Sequence, residues 1–423
     1  MSSEPACSDA QESDSGQACA GKVIRMSKEY LSQRVLELQP SATLTMNAKA
    51  KQLAAEGKKV ISFSVGEPDF KTAPHICEAA KKAIDDGMHS YTAVGGIPEL
   101  KQGIAKALTR DTGVEYKPDQ IVASPGGKYS LYLTLLAMVN PGDEVIIPAP
   151  YWVSYPEMVR LVGGVPVFIE TREEDLFAVD PDALEAAITP RTKMLILNSP
   201  SNPTGQIVPP MVIERIGRIM EKYGIWCLSD EIYNHLIYGE AEHKSVASVS
   251  DYCRDHTVVA NGASKTYAMT GWRLGWIGAP RDVAKAIEDM QGQTCSNPCT
   301  IAQAAGVAAL NGPGKFITAM VKEFDRRRGI IHQLLNEIPG VTCTMPQGAF
   351  YALPNISGLF GKTIGGQGIE TPLDFCNIAL EKAMVALVPG EAFGAPQHVR
   401  MSYATSEENI REGCRRLQAM IEG

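Results

Sequence analysis

The chain contains no apolar run long enough to cross a bilayer, which argues against a membrane-spanning helix. It contains no Cys-x-x-Cys pair, although ten cysteines lie scattered at positions 7, 19, 77, 227, 253, 295, 299, 343, 376 and 414. Thiols so dispersed read as reduced and mostly buried, not as a disulfide framework. The seven histidines do not cluster either, and no metal site is expected. There is no lysine- or arginine-rich arm. The net charge is −8 and the basic residues are spread out, so neither nucleic acid nor a membrane is an expected partner. The opening stretch "MSSEPACSDAQESDSGQACAGK" has no hydrophobic segment and is too acidic for a transit peptide. Residues 1–24 read as a disordered acidic tail, and the expected location is cytoplasmic.

What the chain does have is size and alternation. At 423 residues, 44% hydrophobic and 21% charged, it is long enough for two domains around a large core. From about Arg25 to Ala55 the pattern is helical. "VISFSVGEPDF" reads as a short strand ending in a Gly-Glu-Pro-Asp turn. Pro74 to Gly87 predicts a helix with proline in its first turn and glycine after its last, and a second helix closes at Gly113. Strand-like runs then recur at "QIVAS", "DEVIIPAP", "PVFIE", "KMLILNSP", "IWCLSDEIY", "TVVANGASK" and "LGWIGAP", with helical patterns between most of them. This predicts an α/β fold whose mainly parallel mixed sheet is covered by helices, with ligands gathered beyond the carboxyl ends of the strands. After about Pro280 the texture changes to long helices, then to a smaller α+β segment ending in a helix from Glu407. The expected organisation is an N-terminal segment, 25–75, joining a small domain, then a large ligand-binding domain, 76–310, and the small domain itself, 311–423.

Six stretches carry candidate chemistry. "NGASKTYAMTGWRLGW" holds Lys265 among small and apolar residues, with Arg273 eight positions later. Such a lysine is either snorkelling at a strand end or is an amine meant for a carbonyl. In "SPGGKYSLYL", Gly126 and Gly127 lie between a strand and a helix, a plain turn or an anion cradle at a helix N-terminus. In "CLSDEIY", Asp230 ends an apolar run, so its carboxylate is expected partly buried and in need of a cationic or N–H partner. In "NSPSNPTG", Asn202 precedes Pro203 and is pushed toward an extended conformation; in "PAPYWVSYPEM", Trp152 packs in the core or lies on a planar ligand. In "HVRMSYATS", Arg400 sits in a late strand among apolar residues and wants a carboxylate.

Each signal alone is weak. Together they describe one ligand, a flat aromatic aldehyde with a phosphate tail and a ring nitrogen kept protonated, which is pyridoxal 5'-phosphate. With these residues in view, the sequence resembles the class I/II pyridoxal-phosphate-dependent aminotransferases of fold type I. Within them it is most similar to the prokaryotic-type aspartate/prephenate aminotransferase subgroup. The likeness runs from about Ser27 to Ile421, and "GASKTYAMTGWRLG" fits the family's lysine signature at every fixed position.

The resemblance implies a large cofactor-binding domain and a smaller α+β domain, and it implies roles. Lys265 forms the Schiff base with the cofactor and shuttles the proton. Asp230 keeps the ring nitrogen protonated, Tyr233 and Asn202 bond the ring oxygen, and Trp152 stacks on the ring. Gly126, Gly127, Lys128 and Arg273 line the phosphate end. Arg400 clamps the substrate carboxylate, with the backbone of Gly66 nearby. Tyr91 matches a tyrosine that reaches the neighbouring subunit's phosphate, which implies a homodimer. One departure is Gly262, where some relatives carry a phosphate-binding serine; Ser264 beside the lysine is not counted in its place.

The implied partners are small amino acids and 2-oxo acids. Thr43 and Lys128 stand where the subgroup marks members that also accept prephenate. The expected activity is therefore ping-pong exchange between L-aspartate or glutamate and 2-oxoglutarate or oxaloacetate, with prephenate as a second acceptor giving arogenate. The alternative is another fold type I enzyme, such as an aromatic aminotransferase or a β-lyase. A transcriptional regulator built on this fold would append a basic helix-turn-helix domain, and a short acidic tail is not one.

Overall fold

The computed structural model describes residues 30–38 and 42–423. The expected tail, 1–24, lies outside the described residues. Residues 30–38 carry a short helix, Gln33–Glu37, after which Leu38 turns to an extended conformation. The next helix is Ala42–Ala55. The helical pattern expected from Arg25 to Ala55 is therefore interrupted at Leu38, and its part at 25–29 lies outside the described residues.

The strands expected between residues 121 and 278 pair into one sheet. After β1 (Ile61–Ser62) come β2 (Ile121–Ser124), β3 (Glu144–Ala149), β4 (Val165–Glu170), β5 (Thr192–Asn198), β6 (Trp226–Asp230), β7 (Thr257–Gly262) and β8 (Gly275–Gly278). The seven strands β2 to β8 lie in the order β2-β8-β7-β6-β5-β3-β4. All neighbours are parallel except β8, which runs antiparallel to both β2 and β7. The central strands β6, β7 and β8 are buried almost throughout, the pattern of a sheet covered on both faces. Val165 and Phe168 are partly exposed on the edge strand β4.

Register places the chemistry. Asn198, Asp230 and Ala260 stand in one row across β5, β6 and β7, so three neighbouring strands end at one rim. The turn from β7 to β8 carries Lys265 and Arg273 over that rim.

A second, antiparallel sheet joins Val388–Pro389, Val399–Ser402 and Tyr351–Ala352. β1 pairs in parallel with Val385–Ala386. Met46 and Ala50 of the helix Ala42–Ala55 share one hydrophobic cluster with Phe63, Phe350, Val385, Met401 and Leu417. The beginning and the end of this unit are thus packed around the same core.

Among the described residues no helix is long and apolar enough to cross a membrane. The eight described cysteines are all unpaired; five are buried, while Cys295 and Cys299 are exposed.

Candidate active site

Glycine brings the rim together. Gly126 has a φ of +96°, and the helix Gly127–Met138 starts directly after it. A Cβ on Gly126 would lie 2.4 Å from an Arg273 guanidinium nitrogen, and one on Gly275 would lie 2.2 Å from the backbone nitrogen of Gly127. Only residues without a side chain allow β8 and the helix start to approach so closely. Gly262 pairs with Gly275, and a Cβ there would stand 3.1 Å from the Leu274 carbonyl oxygen. The glycine that departs from the serine-bearing relatives therefore sits in a tight backbone crossing.

Lys265 lies in the cleft above this crossing. Its Nζ donates to the Gly66 carbonyl at 2.5 Å. Burial pulls its pKa from the ordinary 10.5 down to about 8, helped by the fields of Arg400 and Arg273 and opposed by Glu67 and Asp230.

Asp230 is more enclosed than the sequence suggests, at 5% exposed. Burial pushes its carboxyl up to about 6, against the Tyr155 hydroxyl, which donates at 2.6 Å, and the Ile232 N–H, which donates at 3.2 Å. Neighbouring Glu231 adds to the upward push.

Arg400 is 2% exposed. One guanidinium nitrogen donates to Asn202 Oδ1 at 3.0 Å, the other to the Ser64 carbonyl at 2.9 Å. Its guanidinium carbon lies 4.7 Å from the Tyr351 ring centre and 4.9 Å from that of Phe393. Burial lowers its pKa, with Tyr351 and Tyr233 acting in the opposite sense. No carboxylate among the described residues forms an ion pair with it, and its Nε has no hydrogen-bond partner. A buried guanidinium held by neutral acceptors alone keeps its charge uncompensated and can take an anion.

The other predicted residues fall around these three. Tyr233 is buried, and its hydroxyl is 2.9 Å from that of Tyr351. Asn202 receives the Arg400 bond, and its N–H donates to Asn198 Oδ1 at 2.9 Å. Trp152 stands edge-on to Tyr155, and Lys128 Nζ is 4.8 Å from the Trp152 ring centre. Burial, then Arg273, lowers the Lys128 pKa. Thr43, Gly66, Gly127, Lys128, Trp152, Asp230, Lys265 and Arg273 line one cleft of about 450 Å³. An adjoining lobe of about 260 Å³ is bounded by Asn202, Tyr233, Tyr351 and Arg400. Tyr91 does not line either; its side chain is 88% exposed.

Sequence reasoning missed Tyr155, Tyr351, Asn198 and Ser64. Tyr155 had one usable signal, its place three residues after Trp152 at the start of a helix that follows β3. The others are ordinary core and loop residue types, brought to the cleft only by the crossing of distant segments.

Comparison with known proteins gives a consistent picture. Residues 58–417 match the family model described as aminotransferase class I and II. The chain is 46% identical over 392 residues to an aspartate aminotransferase of Geobacillus stearothermophilus, spanning 93% of this chain and 99% of that one. It is also 46% identical over 396 residues to an aspartate/prephenate aminotransferase of Cereibacter sphaeroides, again 93% and 99% of the two chains. Among solved structures, the aspartate aminotransferase from Rhizobium meliloti superposes with a TM-score of 0.89 at 41% identity, covering 92% of this chain and 98% of that one.

Proposed function

The chain belongs to the class I and II aminotransferases, and from that premise we propose that it moves an amino group between L-aspartate and 2-oxoglutarate, with prephenate as a second acceptor giving arogenate. The observation that carries the reading is the pairing of a half-buried Lys265, its pKa lowered to about 8, with a buried, uncompensated Arg400 across one cleft. The first suits an amine that reacts with a carbonyl and moves protons. The second suits the α-carboxylate of an amino acid. The names of the relatives, aspartate and aspartate/prephenate aminotransferases, favour the substrates.

Members of this family use pyridoxal phosphate, and the residues here fit it. The side-chain-free crossing at Gly126, Gly127 and Gly275, with Lys128 and Arg273 beside it, suits a phosphate. When bound, the cofactor supplies an aldehyde for the substrate amine and a ring that accepts electrons. Asp230 would hold a proton at the ring nitrogen, Trp152 would stack on the ring, and Tyr233 and Asn202 would hold the ring oxygen. Lys265 would carry the cofactor until a substrate amine takes its place. Its freed Nζ, whose lowered pKa makes the neutral amine accessible, would then remove the proton from the substrate Cα and return it to the carbon on the other side of the transferred nitrogen. Arg400 fixes the carboxylate so that this Cα–H bond faces Lys265. Tyr91, exposed in one protomer, would complete the phosphate site of its partner in a homodimer.

The test is an absorbance spectrum of the purified protein, recorded before and after L-aspartate with no oxo acid present. Conversion of the cofactor band by aspartate, reversed by 2-oxoglutarate and then by prephenate, is the expected result. A band unmoved by aspartate, or release of pyruvate or ammonia from another amino acid, overturns the substrate assignment and favours the β-lyase alternative.

A further inference from the structure

Behind Asp230 lies a second buried carboxylate that the reaction scheme leaves without a task. Ser229 and Glu231 flank Asp230 and, by the two-residue period of a strand, face away from it. Asp230 opens to the cleft with Lys265. Glu231 is 1% exposed and turns into the protein. Its Oε1 accepts from the Ser229 hydroxyl at 2.8 Å and from the Ser245 hydroxyl at 2.6 Å. Its Oε2 stands 3.3 Å from His243 Nε2, and the His243 side chain is only 6% exposed. Among the described residues neither Oε2 nor either His243 nitrogen has a hydrogen-bond partner, so these groups have only each other.

Two adjacent buried carboxylates repel, and each needs its own compensation. The reach of Glu231 is visible on its neighbours. The Tyr116 phenol and the Cys227 thiol, both buried, are pushed upward by burial and further by Glu231, and so is Asp230. His243 is the basic group placed against that charge on the side away from the cleft. Tyr155 and Lys265 face Asp230 from the cleft side.

We propose that Glu231 and His243 are a positioning pair, anchoring the end of β6 and offsetting the charge beside Asp230 so that its carboxylate serves the cofactor. Neither residue touches the cleft; both act through Asp230. The inference rests on the reading above only for its consequence in catalysis.

The experiment follows the Asp230 carboxyl by carbon NMR in cofactor-free protein labelled at aspartate, with the signal identified by its loss in Asp230→Asn. The wild-type midpoint is expected near 6. Glu231→Gln is expected to lower it. His243→Leu is expected to raise it by about half a pH unit in the presence of Glu231 and to leave it unchanged in the Glu231→Gln background. His243→Gln, which keeps a donor, is expected to stay close to wild type. A midpoint that ignores both single variants, or that His243→Leu moves equally in both backgrounds, overturns the proposal. In the holoenzyme His243→Leu should lower kcat several-fold while KM holds. The titration needs no cofactor or substrate, so it reports on the pair even if aspartate fails to change the spectrum.

Discussion

The rim of the large sheet and the strand Val399–Ser402 each push a charged group into the same cleft, by opposite means. The rim supplies Asp230 at the end of β6 and Lys265 in the short helix Ala263–Thr266 that follows β7. Burial moves both toward neutrality, the lysine down to about 8 and the aspartate up to about 6, so their protons are easily exchanged. The strand supplies Arg400, clamped from two sides by Asn202 and Ser64 and packed against two aromatic rings. A guanidinium stays charged even when burial lowers its pKa. One region holds groups whose pKa values burial draws toward neutral pH, and the other holds a charge that burial does not remove.

That division is sharpest in a pair of substitutions. Asp230→Ala should slow the half-reaction with aspartate on the order of 10²–10³-fold, as loss of an aimed electrostatic partner does, with far less effect on substrate affinity. Arg400→Leu should do the reverse, raising KM for aspartate roughly 10- to 100-fold, the worth of a charge-assisted contact. Stopped-flow rates at saturating and limiting aspartate separate the two. Equal losses in rate and affinity for Asp230→Ala would count against its assigned role. Arg400→Leu should also raise the melting temperature of the cofactor-free protein, because it removes a buried charge that no carboxylate offsets. A lower melting temperature would mean that Arg400 is a structural brace.

A smaller effect tests the rim alone. Only the neutral amine of Lys265 attacks an aldehyde. Capture of pyridoxal phosphate by the cofactor-free protein should therefore quicken as pH rises, with a midpoint near 8 where an exposed lysine would titrate near 10.5. Stability should follow the same shift. Between about 8 and 10.5 the unfolded chain binds a proton that the folded one lacks, so folding gains on raising the pH through that window. A Lys265→Met variant removes both dependences if the lysine is their source.

The two regions also differ in how far the sequence disclosed them. Lys265, Asp230 and Arg400 were legible because each is a charge set in apolar surroundings, which needs explaining wherever it occurs. The strands of the large sheet were legible because burial on both faces demands unbroken apolar runs. The partners were not. Tyr155 reaches Asp230 across 75 residues of sequence, and Tyr351 reaches Tyr233 across 118, and nothing local marks a tyrosine for that purpose. β1 is shorter than its sequence suggests for a related reason. Its parallel partner offers only Val385 and Ala386, so only Ile61 and Ser62 of "VISFSVGEPDF" are strand.

The smallest predicted effect probes a group between the two regions. Lys128 belongs to the rim by position, on the helix that follows the glycine turn, yet it lines the lobe that Arg400 bounds. No carboxylate among the described residues pairs with it, and its ammonium lies over Trp152. If it meets the distal carboxylate of a dicarboxylic substrate, Lys128→Met should weaken aspartate several-fold, a partly exposed ion pair's worth, and leave alanine nearly unchanged. If it serves only the phosphate, both amino acids should suffer alike, and pyridoxal phosphate itself should bind more weakly. Thr43 gives the second reading, since it lines the same lobe with a buried hydroxyl that has no hydrogen-bond partner. Thr43→Val keeps the shape and removes that hydroxyl, so a loss confined to prephenate would place substrate selection on this side of the cleft, with Lys128 grouped with Arg400 as a holding charge.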